Sequence, residues 1–297
     1  MATFNGEQFV VEQLDSVFKQ TFSNIEVIVV DDCSTDNTRE ILEQYQFHYS
    51  TMRVVINDTN LGYIKNFEKG MLLATGDFIA PCDQDDIWLP EKLEKLMAQI
   101  KDYPIIYSNS SLINEQGKDL NQKLSDVKRL TTFSTPLNYS IGNSAPGHAM
   151  LINRKVIEWA IPLPQSIPHD YWIGFVGTFS GSVKFIDESL ILYRQHRSNV
   201  FGVTKVKNRK IQRKTIKNEE QFRTRLRMSL LFEKCPPYLK EKQIFFDLMR
   251  SYESFSLMNN FKRMLLFFAH SKEILAFKNR SVIRRWVYCI KMFYQIV

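Results

Sequence analysis

The chain has 297 residues, of which 44% are hydrophobic, so it is long enough to bury a substantial core. The formal net charge of +7 is uneven, because residues 201–297 hold 22 Lys/Arg and 7 Asp/Glu (net +15), which leaves −8 for residues 1–200. Four scattered cysteines without a C-x-x-C pair argue against a zinc knuckle or a disulfide framework, and no apolar run approaches the roughly 18 residues that span a bilayer.

Helices and strands alternate in the hydrophobic pattern of the first hundred residues. Apolar residues from Phe9 to Phe18 recur at helical spacing, and residues 25–30 form a β-branched run of strand length. The order then repeats, with a helix after an N-cap at Asp36, a strand at 52–56, a helix at 63–74, a short strand at 78–80 and a helix at 91–101. This rhythm predicts an α/β fold with a mostly parallel sheet flanked by helices.

The second hundred residues continue with elements that are spaced less regularly. We predict strands at 105–108, 149–153, 183–186 and 190–193, and a helix at about 171–179. After residue 200 the pattern changes to basic, Phe-rich helices without convincing strands. The boundary is expected near 201–210, which gives a catalytic domain at 1–204 and a basic, aromatic-rich helical region at 205–297.

Acidic residues follow two of the predicted strands. Asp31 and Asp32 end the first, and Asp83-Gln84-Asp85-Asp86 comes after the strand at 78–80. Ligands bind beyond the carboxyl ends of strands in such sheets, so both groups are expected at one rim. Carboxylates at i and i+2 can hold Mg²⁺ or Mn²⁺ together with diphosphate oxygens. A solvated acidic turn that caps the next helix is the simpler alternative for an isolated D-x-D.

Six segments, taken in order, resemble the inverting family 2 glycosyltransferases. They are ATFNGE at 2–7, VVDDCSTD at 29–36, NLGYIKNF at 60–67, GDFIAPCDQDDIW at 76–88, HDYW at 169–172 and ILYRQH at 191–196. The last three are most similar to the bacterial rhamnosyltransferase-type branch. The resemblance covers residues 1–200 and implies a GT-A fold, in which a nucleotide-binding α/β half is fused to an acceptor half.

Carried over by position, the resemblance implies a donor site, a metal site and a catalytic base. The donor-binding residues would be Thr3, Asn5, Asp32, Asn60, Lys65, Asn66, Asp83 and Arg194. The metal, Mg²⁺ or Mn²⁺, would be held by Asp83, Asp85 and His196. Asp170 would be the base that takes the proton from the acceptor hydroxyl.

Structural roles remain open for several of these residues. The alternatives are turn capping for Asp31 or Asp32, a surface charge for Lys65, helix N-capping for Asp170, an ion pair of Arg194 with an acid such as Glu188, and a structural role for His196. Trp172 would stack on a sugar ring or lie in the core. Sequence spacing alone leaves both sets of roles available.

The chain departs from the family pattern at three places. An apolar strand usually precedes the A-T-[FY]-N-G motif, but here Met1 replaces nearly all of it. Either the natural gene starts upstream, or this chain is less stable than relatives with the full strand. The loop at 143–148 differs from N-x-x-x-G-C-T-M, and Arg197 replaces a glycine. The acceptor is therefore less well defined than the donor class.

The expected function is inverting, metal-dependent transfer of a sugar to a saccharide or lipid-linked saccharide acceptor in bacterial surface polysaccharide synthesis. Rhamnose from dTDP-rhamnose is the favoured donor, and UDP-glucose or UDP-galactose is an alternative. A sugar-phosphate nucleotidyltransferase would usually carry a Gly-rich loop with a catalytic Arg or Lys near its start, which ATFNGEQF lacks. A nucleic-acid-binding protein would leave the charge of −8 in residues 1–200 unexplained.

The basic region bears on location. Residues 205–227 hold ten Lys/Arg, and residues 255–294 interleave aromatic and basic residues. Amphipathic helices of this composition suit an anionic membrane surface, although helices packed on the catalytic domain would show the same pattern. The N-terminus has no export signal. We therefore expect a cytoplasmic protein that is peripheral on the inner face of the cell membrane.

Overall fold

The computed structural model describes residues 1–196, 213–278 and 281–294, with only the backbone described for 213–217. The strands are β1 (Ala2–Thr3), β2 (Val27–Asp31), β3 (Met52–Ile56), β4 (Phe78–Ile79), β5 (Ile87–Trp88), β6 (Ile105–Asn114), β7 (Asp119–Lys123), β8 (Met150–Asn153) and β9 (Val183–Gln195). The helices up to residue 177 are α1 (Val10–Phe18), α2 (Thr38–His48), α3 (Tyr63–Leu73), α4 (Lys92–Ile100), α5 (Leu124–Val127), α6 (Arg154–Ala160) and α7 (His169–Gly177). The remaining helices are α8 (Arg213–Lys234), α9 (Lys242–Tyr252), α10 (Leu257–Ala269), α11 (Ser271–Ile274) and α12 (Val282–Tyr294).

The first sheet contains β1, β2 and β3 in that order, and all of its pairs are parallel. Val29 and Val30 of β2 are fully buried, as the β-branched run predicts for a strand covered on both faces. The α/β class is therefore confirmed, with helices packed against a parallel sheet. Parallel strands end at the same edge, so the residues after β1 and β2 lie side by side.

β1 is only two residues long, and the N-terminal ammonium of Met1 donates a hydrogen bond to the carbonyl of Ile28 at 2.6 Å. Burial lowers the pKa of this ammonium. A cavity of about 460 Å³ lies beside Met1, between residues 24–28 and 74–82. The lower stability expected from a shortened first strand stays a prediction.

The second sheet has the order β4-β8-β6-β9-β5, with β7 paired to β6 outside this path. Within the described residues, β6 and β9 are the one parallel pair of this sheet, and its other four strand pairs are antiparallel. The mostly parallel pairing predicted from the sequence thus holds for the first sheet and for β6–β9. A rhythm of helices and strands indicates the α/β class, but it does not fix strand direction where the connection is not a helical crossover.

The second sheet also differs from the prediction in the length of its strands. The two strands predicted at 183–186 and 190–193 are one strand, β9, which continues through the polar residues Asp187 to Ser189. Register shifts at residues 108–111 of β6 accommodate this irregular segment. β6 itself runs on to Asn114, past the predicted end at 108, because its polar residues Ser108, Asn109 and Ser110 are buried in the sheet.

Helices α8 to α12 pack against the α/β part, and their buried apolar residues belong to its main hydrophobic cluster. Phe245 of α9 contacts Phe175 of α7 edge to face, with ring centroids 5.4 Å apart. The amide of Asn138 donates to the carbonyl of Glu273 at 3.0 Å.

The predicted boundary at 204/205 lies outside the described residues, so the division into two domains stays a prediction. In the described parts of the chain, no helix combines the length and the apolarity needed to cross a membrane.

Candidate active site

The ends of β1 and β2, the segment after β4 and the start of α7 surround a cavity of about 870 Å³. This volume is in the range of cavities that bind small molecules and cofactors. Nine of the eleven site residues named from the sequence line it, namely Thr3, Asn5, Asp32, Asn60, Asn66, Asp83, Asp85, Asp170 and His196. Lys65 and Arg194 do not line it.

The turn after β2 is held by its first aspartate, Asp31, which is fully buried. Its carboxylate accepts hydrogen bonds from the hydroxyl of Thr3 at 2.9 Å, and from the backbone N–H and hydroxyl of Ser34 at 2.8 and 2.5 Å. Arg39 lies 3.5 Å away as an ionic partner. The side chain of Asn5 accepts from the backbone of the same turn at 2.8 Å. In this structure Thr3 and Asn5 thus help to fix the turn.

Asp32 holds the loop that precedes α3. One carboxylate oxygen accepts from the amide of Asn57 at 2.9 Å and from the backbone N–H of Leu61 at 2.8 Å. The other accepts from the backbone N–H of Gly62 at 2.8 Å, and Gly62 has a φ of 80°, which glycine adopts without steric cost. The Asn57 amide also donates to Asn66 at 2.9 Å. This network orders the wall of the cavity on the side of the first sheet.

The second acidic turn, residues 83–86, is attached to the end of β1. The amide of Gln84 donates to the carbonyl of Phe4 at 3.0 Å and accepts from the backbone N–H of Phe4 at 2.8 Å. Oδ2 of Asp85 lies 2.7 Å from Nε2 of His196. The structure therefore brings together these two residues, which are separated by more than a hundred positions in the sequence.

The carboxylates of the second turn crowd one another. Burial, followed by the charges of Asp85 and Asp170, raises the pKa of Asp83 to about 7. Burial, followed by the charges of Asp85 and Asp83, raises the pKa of Asp86 well above its usual value. Like charges held close together in a partly desolvated site favour protonation or the binding of a cation.

Asp86 and His148 form the inner part of this acidic site. Oδ1 of Asp86 accepts from the backbone N–H of Arg194 at 3.1 Å, whereas no described residue donates a hydrogen bond to Oδ2. Nδ1 of His148 lies 3.7 Å from Oδ2 of Asp86 and 3.9 Å from Oδ2 of Asp83. Three ligand atoms, one from each of these residues, lie within 4.8 Å of one another, so they could hold a metal ion. Burial lowers the pKa of His148 to about 3, and the imidazole is therefore neutral and able to act as a ligand.

A buried lysine, Lys92, stabilises the inner part of this site. Lys92, the first residue of α4, donates to the carbonyl of His148 at 2.8 Å, and its ammonium lies 3.2 Å from the centre of the Trp88 ring. Burial lowers its pKa to about 7. Lys92 thus positions the backbone of His148 and places a cationic group close to the carboxylates.

Asp170 lies in the first turn of α7 and faces the same cavity. The helix begins at His169 after Pro168, so Asp170 is a residue of the helix and not its N-cap. One carboxylate oxygen accepts from the backbone N–H of Tyr171 at 2.7 Å. The charge of Asp170, across the cavity, is one of the causes of the raised pKa of Asp83.

Three of the residues named from the sequence have their side chains turned elsewhere. The guanidinium of Arg194 is buried and pairs with Glu12. It also donates to the carbonyl of Asp85 at 2.9 Å and so stabilises the backbone of the acidic turn. The ammonium of Lys65 lies 2.5 Å from the carboxylate of Glu68. The indole of Trp172 is buried and donates to the carbonyl of Ala160 at 2.8 Å, which makes Trp172 a core residue.

The sequence motifs do not mark His148, Lys92 or Asn57 as parts of the site. His148 lies in the loop at 143–148, which departs from the family pattern, and a histidine at that departure was the available signal. Lys92 is on the buried side of a helix, where a lysine is unusual unless it is paired. Asn57 follows β3 directly, at the same rim as the residues after β1 and β2.

The parallel sheet with its flanking helices, ending at an acidic cavity, gives this chain an α/β fold of the GT-A type. The fold is similar to that of Staphylococcus aureus TarS 1-349 in complex with UDP-GlcNAc, with a TM-score of 0.58 and 19% sequence identity over 100% of this chain and 80% of that chain. Residues 1–159 match the model of glycosyl transferase family 2. The protein belongs to this family.

Two curated relatives are similar over about two thirds of this chain. An uncharacterized glycosyltransferase of Nostoc sp. is 28% identical over 207 residues, which are 67% of this chain and 64% of the relative. The dTDP-rhamnosyl transferase RfbG of Shigella flexneri is 28% identical over 216 residues, which are 68% of this chain and 73% of RfbG. The match thus covers less than two thirds of the length of the Nostoc protein.

Proposed function

We propose that this protein is an inverting, metal-dependent glycosyltransferase. It transfers a sugar from a nucleotide diphosphate sugar to a saccharide or lipid-linked saccharide acceptor in bacterial surface polysaccharide synthesis. The observation that carries this proposal is the meeting of three carboxylates and two imidazoles at one cavity, with a fourth, buried carboxylate beside one of the imidazoles, in a chain of glycosyl transferase family 2. They belong to Asp83, Asp85, Asp86, Asp170, His148 and His196.

The donor set of the acidic turn fits a divalent cation such as Mn²⁺ or Mg²⁺. Oδ2 of Asp86 is buried and receives no hydrogen bond from the described residues, and an uncharged imidazole stands beside it. We propose that Asp83, Asp85 and His196 hold the cation, with Asp86 and His148 on its inner side. When bound, the cation neutralises charge on the diphosphate and so supports its departure. A nitrogen donor favours Mn²⁺ over Mg²⁺.

Asp170 is the proposed base. An acceptor hydroxyl in the cavity attacks the anomeric carbon from the face opposite the diphosphate, the bond from that carbon to the diphosphate breaks, and the proton of the hydroxyl passes to the Asp170 carboxylate. The structure supports this assignment because Asp170 shares the cavity with the acidic turn but is not part of it. His169, whose ring stacks on Phe67 with centroids 4.2 Å apart, fixes the start of the helix that carries Asp170.

The nucleotide is proposed to lie along the wall formed by Asp32, Asn60 and Asn66, which lead from the first sheet to the acidic turn. Lys65 remains a candidate donor contact only if its ammonium leaves Glu68. The similarity to RfbG favours dTDP-rhamnose as the donor, with UDP-glucose or UDP-galactose as the alternative. The acidic cavity disfavours nucleic acid as a ligand.

Ligand-dependent thermal stabilisation tests the proposal. The purified chain is heated with a panel of nucleotide sugars, each with and without Mn²⁺. We expect dTDP-rhamnose to raise the melting temperature in the presence of Mn²⁺ and to do so much less without it. If only a UDP-sugar raises the melting temperature, the donor is a UDP-sugar and not dTDP-rhamnose. No stabilisation by any nucleotide sugar would contradict the proposed function.

A further inference from the structure

Helices α10 and α12 present apolar side chains to the solvent as well as to the core. On α10 the exposed large apolar residues are Leu257, Met258, Phe261 and Leu265. On α12 they are Val282, Ile283, Trp286, Val287, Ile290 and Tyr294. Leu257 and Ile283 are 74% and 73% exposed. These ten residues are named here the α10–α12 face.

The spacing of α12 shows that its exposed apolar residues form one stripe. Ile283, Trp286, Val287, Ile290 and Tyr294 recur at intervals of three or four residues, which places them along one side of a helix. Cys289 and Met292 are buried on the opposite side, against the rest of the protein. The exposed stripe is therefore additional to the apolar side that α12 uses for packing.

The stripes of the two helices are joined by aromatic rings. The ring of Phe261 contacts that of Phe293 edge to face with centroids 6.5 Å apart, and Phe293 contacts Tyr294 in the same way at 5.0 Å. The amide of Asn260 donates to the carbonyl of Phe293 at 3.2 Å and ties the helices together. The α10–α12 face is thus a continuous surface on two fixed helices.

Basic residues border this face. Arg284 and Lys291 are exposed and seven positions apart, so they lie on one flank of the α12 stripe, and Lys262 is exposed on α10. Residues 255–294 contain eight Lys/Arg and one acidic residue, Glu273. Since the flanks carry like charge, a second copy of the same face would be repelled, whereas an anionic surface would be attracted.

We infer that the α10–α12 face binds the surface of an anionic lipid bilayer, with its apolar residues at the level of the headgroups and its Lys/Arg at the lipid phosphates. Binding through this face would account for the peripheral location expected from the sequence. The binding itself does not depend on the proposed function; only the advantage of being near a lipid-linked acceptor does. An exposed tryptophan and tyrosine suit the interfacial layer, where amphipathic rings are enriched.

The helical region that carries the face packs on the segment that leads to the candidate active site. A Cβ atom added to Gly142 would lie 2.6 Å from the ring of Phe277, so the segment after α11 packs directly on the loop that leads to residues 143–148. The hydroxyl of Thr135 donates to the carboxylate of Glu241 at 2.8 Å. Docking of the face would therefore set the orientation of the cavity relative to the lipid surface, where an acceptor linked to lipid gains effective concentration.

Vesicle flotation tests the inference with the full chain, without nucleotide sugar or metal. Vesicles contain phosphatidylcholine alone or phosphatidylcholine with phosphatidylglycerol. We expect flotation with the anionic vesicles at low salt and roughly fivefold weaker binding for each of Arg284→Gln and Lys291→Gln. Ile283→Asp combined with Ile290→Asp should weaken binding by tenfold or more. Both positions are exposed, so these variants are expected to fold.

Phe47→Asp, on the exposed side of α2, is the matched control and should float like the unchanged chain. In a Trp159→Phe background the other two tryptophans, Trp88 and Trp172, are buried, so Trp286 should shift the tryptophan emission to shorter wavelength on addition of anionic vesicles. No flotation of the unchanged chain, or equal flotation of the Ile283→Asp/Ile290→Asp variant, would overturn the inference. So would a change from dimer to monomer caused by the same variant, because the face would then be a contact between copies. The assay is independent of glycosyl transfer, which the thermal-stabilisation panel tests separately.

Discussion

The two acidic turns, Asp31–Asp32 and residues 83–86, have the same place in the sequence pattern and different surroundings in the structure. In the sequence pattern each is at the end of a predicted strand and before a predicted helix, and in the structure β5 lies between the second turn and α4. In the first turn the carboxylate oxygens accept hydrogen bonds from neighbouring hydroxyl, amide and backbone groups. In the second turn the carboxylates face one another, and Oδ2 of Asp86 receives no hydrogen bond from the part of the chain that the structure describes. A satisfied acidic turn holds the fold together, whereas an unsatisfied one is suited to a cation.

The largest expected effect comes from Asp170, the carboxylate that faces the cavity from outside both turns. Asp170→Asn keeps the size of the side chain and removes the base, so we expect the transfer rate to fall by about 10²- to 10⁴-fold. Donor binding should change little, because the acidic turn is unaltered. Turnover with the acceptor and thermal stabilisation by the donor are measured together, with the exposed Asp102→Asn as control. Undiminished turnover would move the base to another residue, with Asp86 the next candidate.

Asp85→Ala should weaken Mn²⁺-dependent donor binding by about 100-fold or more, since even changes to groups that only support a metal ligand cost roughly 10- to 100-fold in affinity. The reason is that the cation loses a carboxylate and with it the bridge to the diphosphate. Donor affinity is measured by titration with and without Mn²⁺. Retention of metal-dependent affinity would rule out the D-x-D assignment.

Asp31→Asn should act on stability and not on metal binding. Asp31 accepts hydrogen bonds from Thr3 and Ser34 and pairs with Arg39, and one amide cannot replace both oxygens of the buried carboxylate. Loss of these contacts is expected to lower the free energy of unfolding by about 1–3 kcal/mol. Chemical denaturation measures the change. An unchanged stability together with lost Mn²⁺ binding would reverse the roles given to the two turns.

A smaller effect concerns the pH dependence of stability without metal. The pKa of Asp83 is about 7 in the folded protein against 3.8 for the ordinary side chain, so the folded state binds more protons between these values. Stability should therefore fall as the pH rises from about 4 to 7. Asp83→Asn should reduce this slope, and Mn²⁺ should oppose it. Denaturation midpoints are measured across the pH range. If Asp83→Asn leaves the dependence of stability on pH unchanged, the pKa of Asp83 is not raised in the folded protein.

Much of the first sheet could be predicted because its physics is local. The apolar spacing of α1, α3 and α4 and the β-branched run of β2 each lie within a dozen residues. The length of β9 could not be predicted, because the polar residues around Asp187 interrupt the alternation that marks a strand. The same holds for the pairing of the second sheet, which joins segments far apart in the chain.

The candidate site shows the same division. The motifs at Asp32, Asp83 and Asp170 could be read from the sequence by resemblance, whereas the position of His148 beside Asp86 depends on tertiary packing. The resemblance implies a donor-binding role for Arg194, but in the structure its guanidinium pairs with Glu12. A motif identifies which residues belong near a site, and only packing shows which side chains face the ligand.

Mn²⁺ titration of a matched pair of variants tests the difference between the two turns most directly. Binding is measured by calorimetry in the presence of dTDP for the unchanged chain, Asp86→Asn and Asp31→Asn. Both variants replace a buried aspartate by its isosteric amide. We expect Mn²⁺ to bind the unchanged chain and Asp31→Asn with similar affinity and to bind Asp86→Asn at least tenfold more weakly. Equal affinity for all three proteins, or no binding to the unchanged chain, would contradict the assignment of the second turn as a cation site.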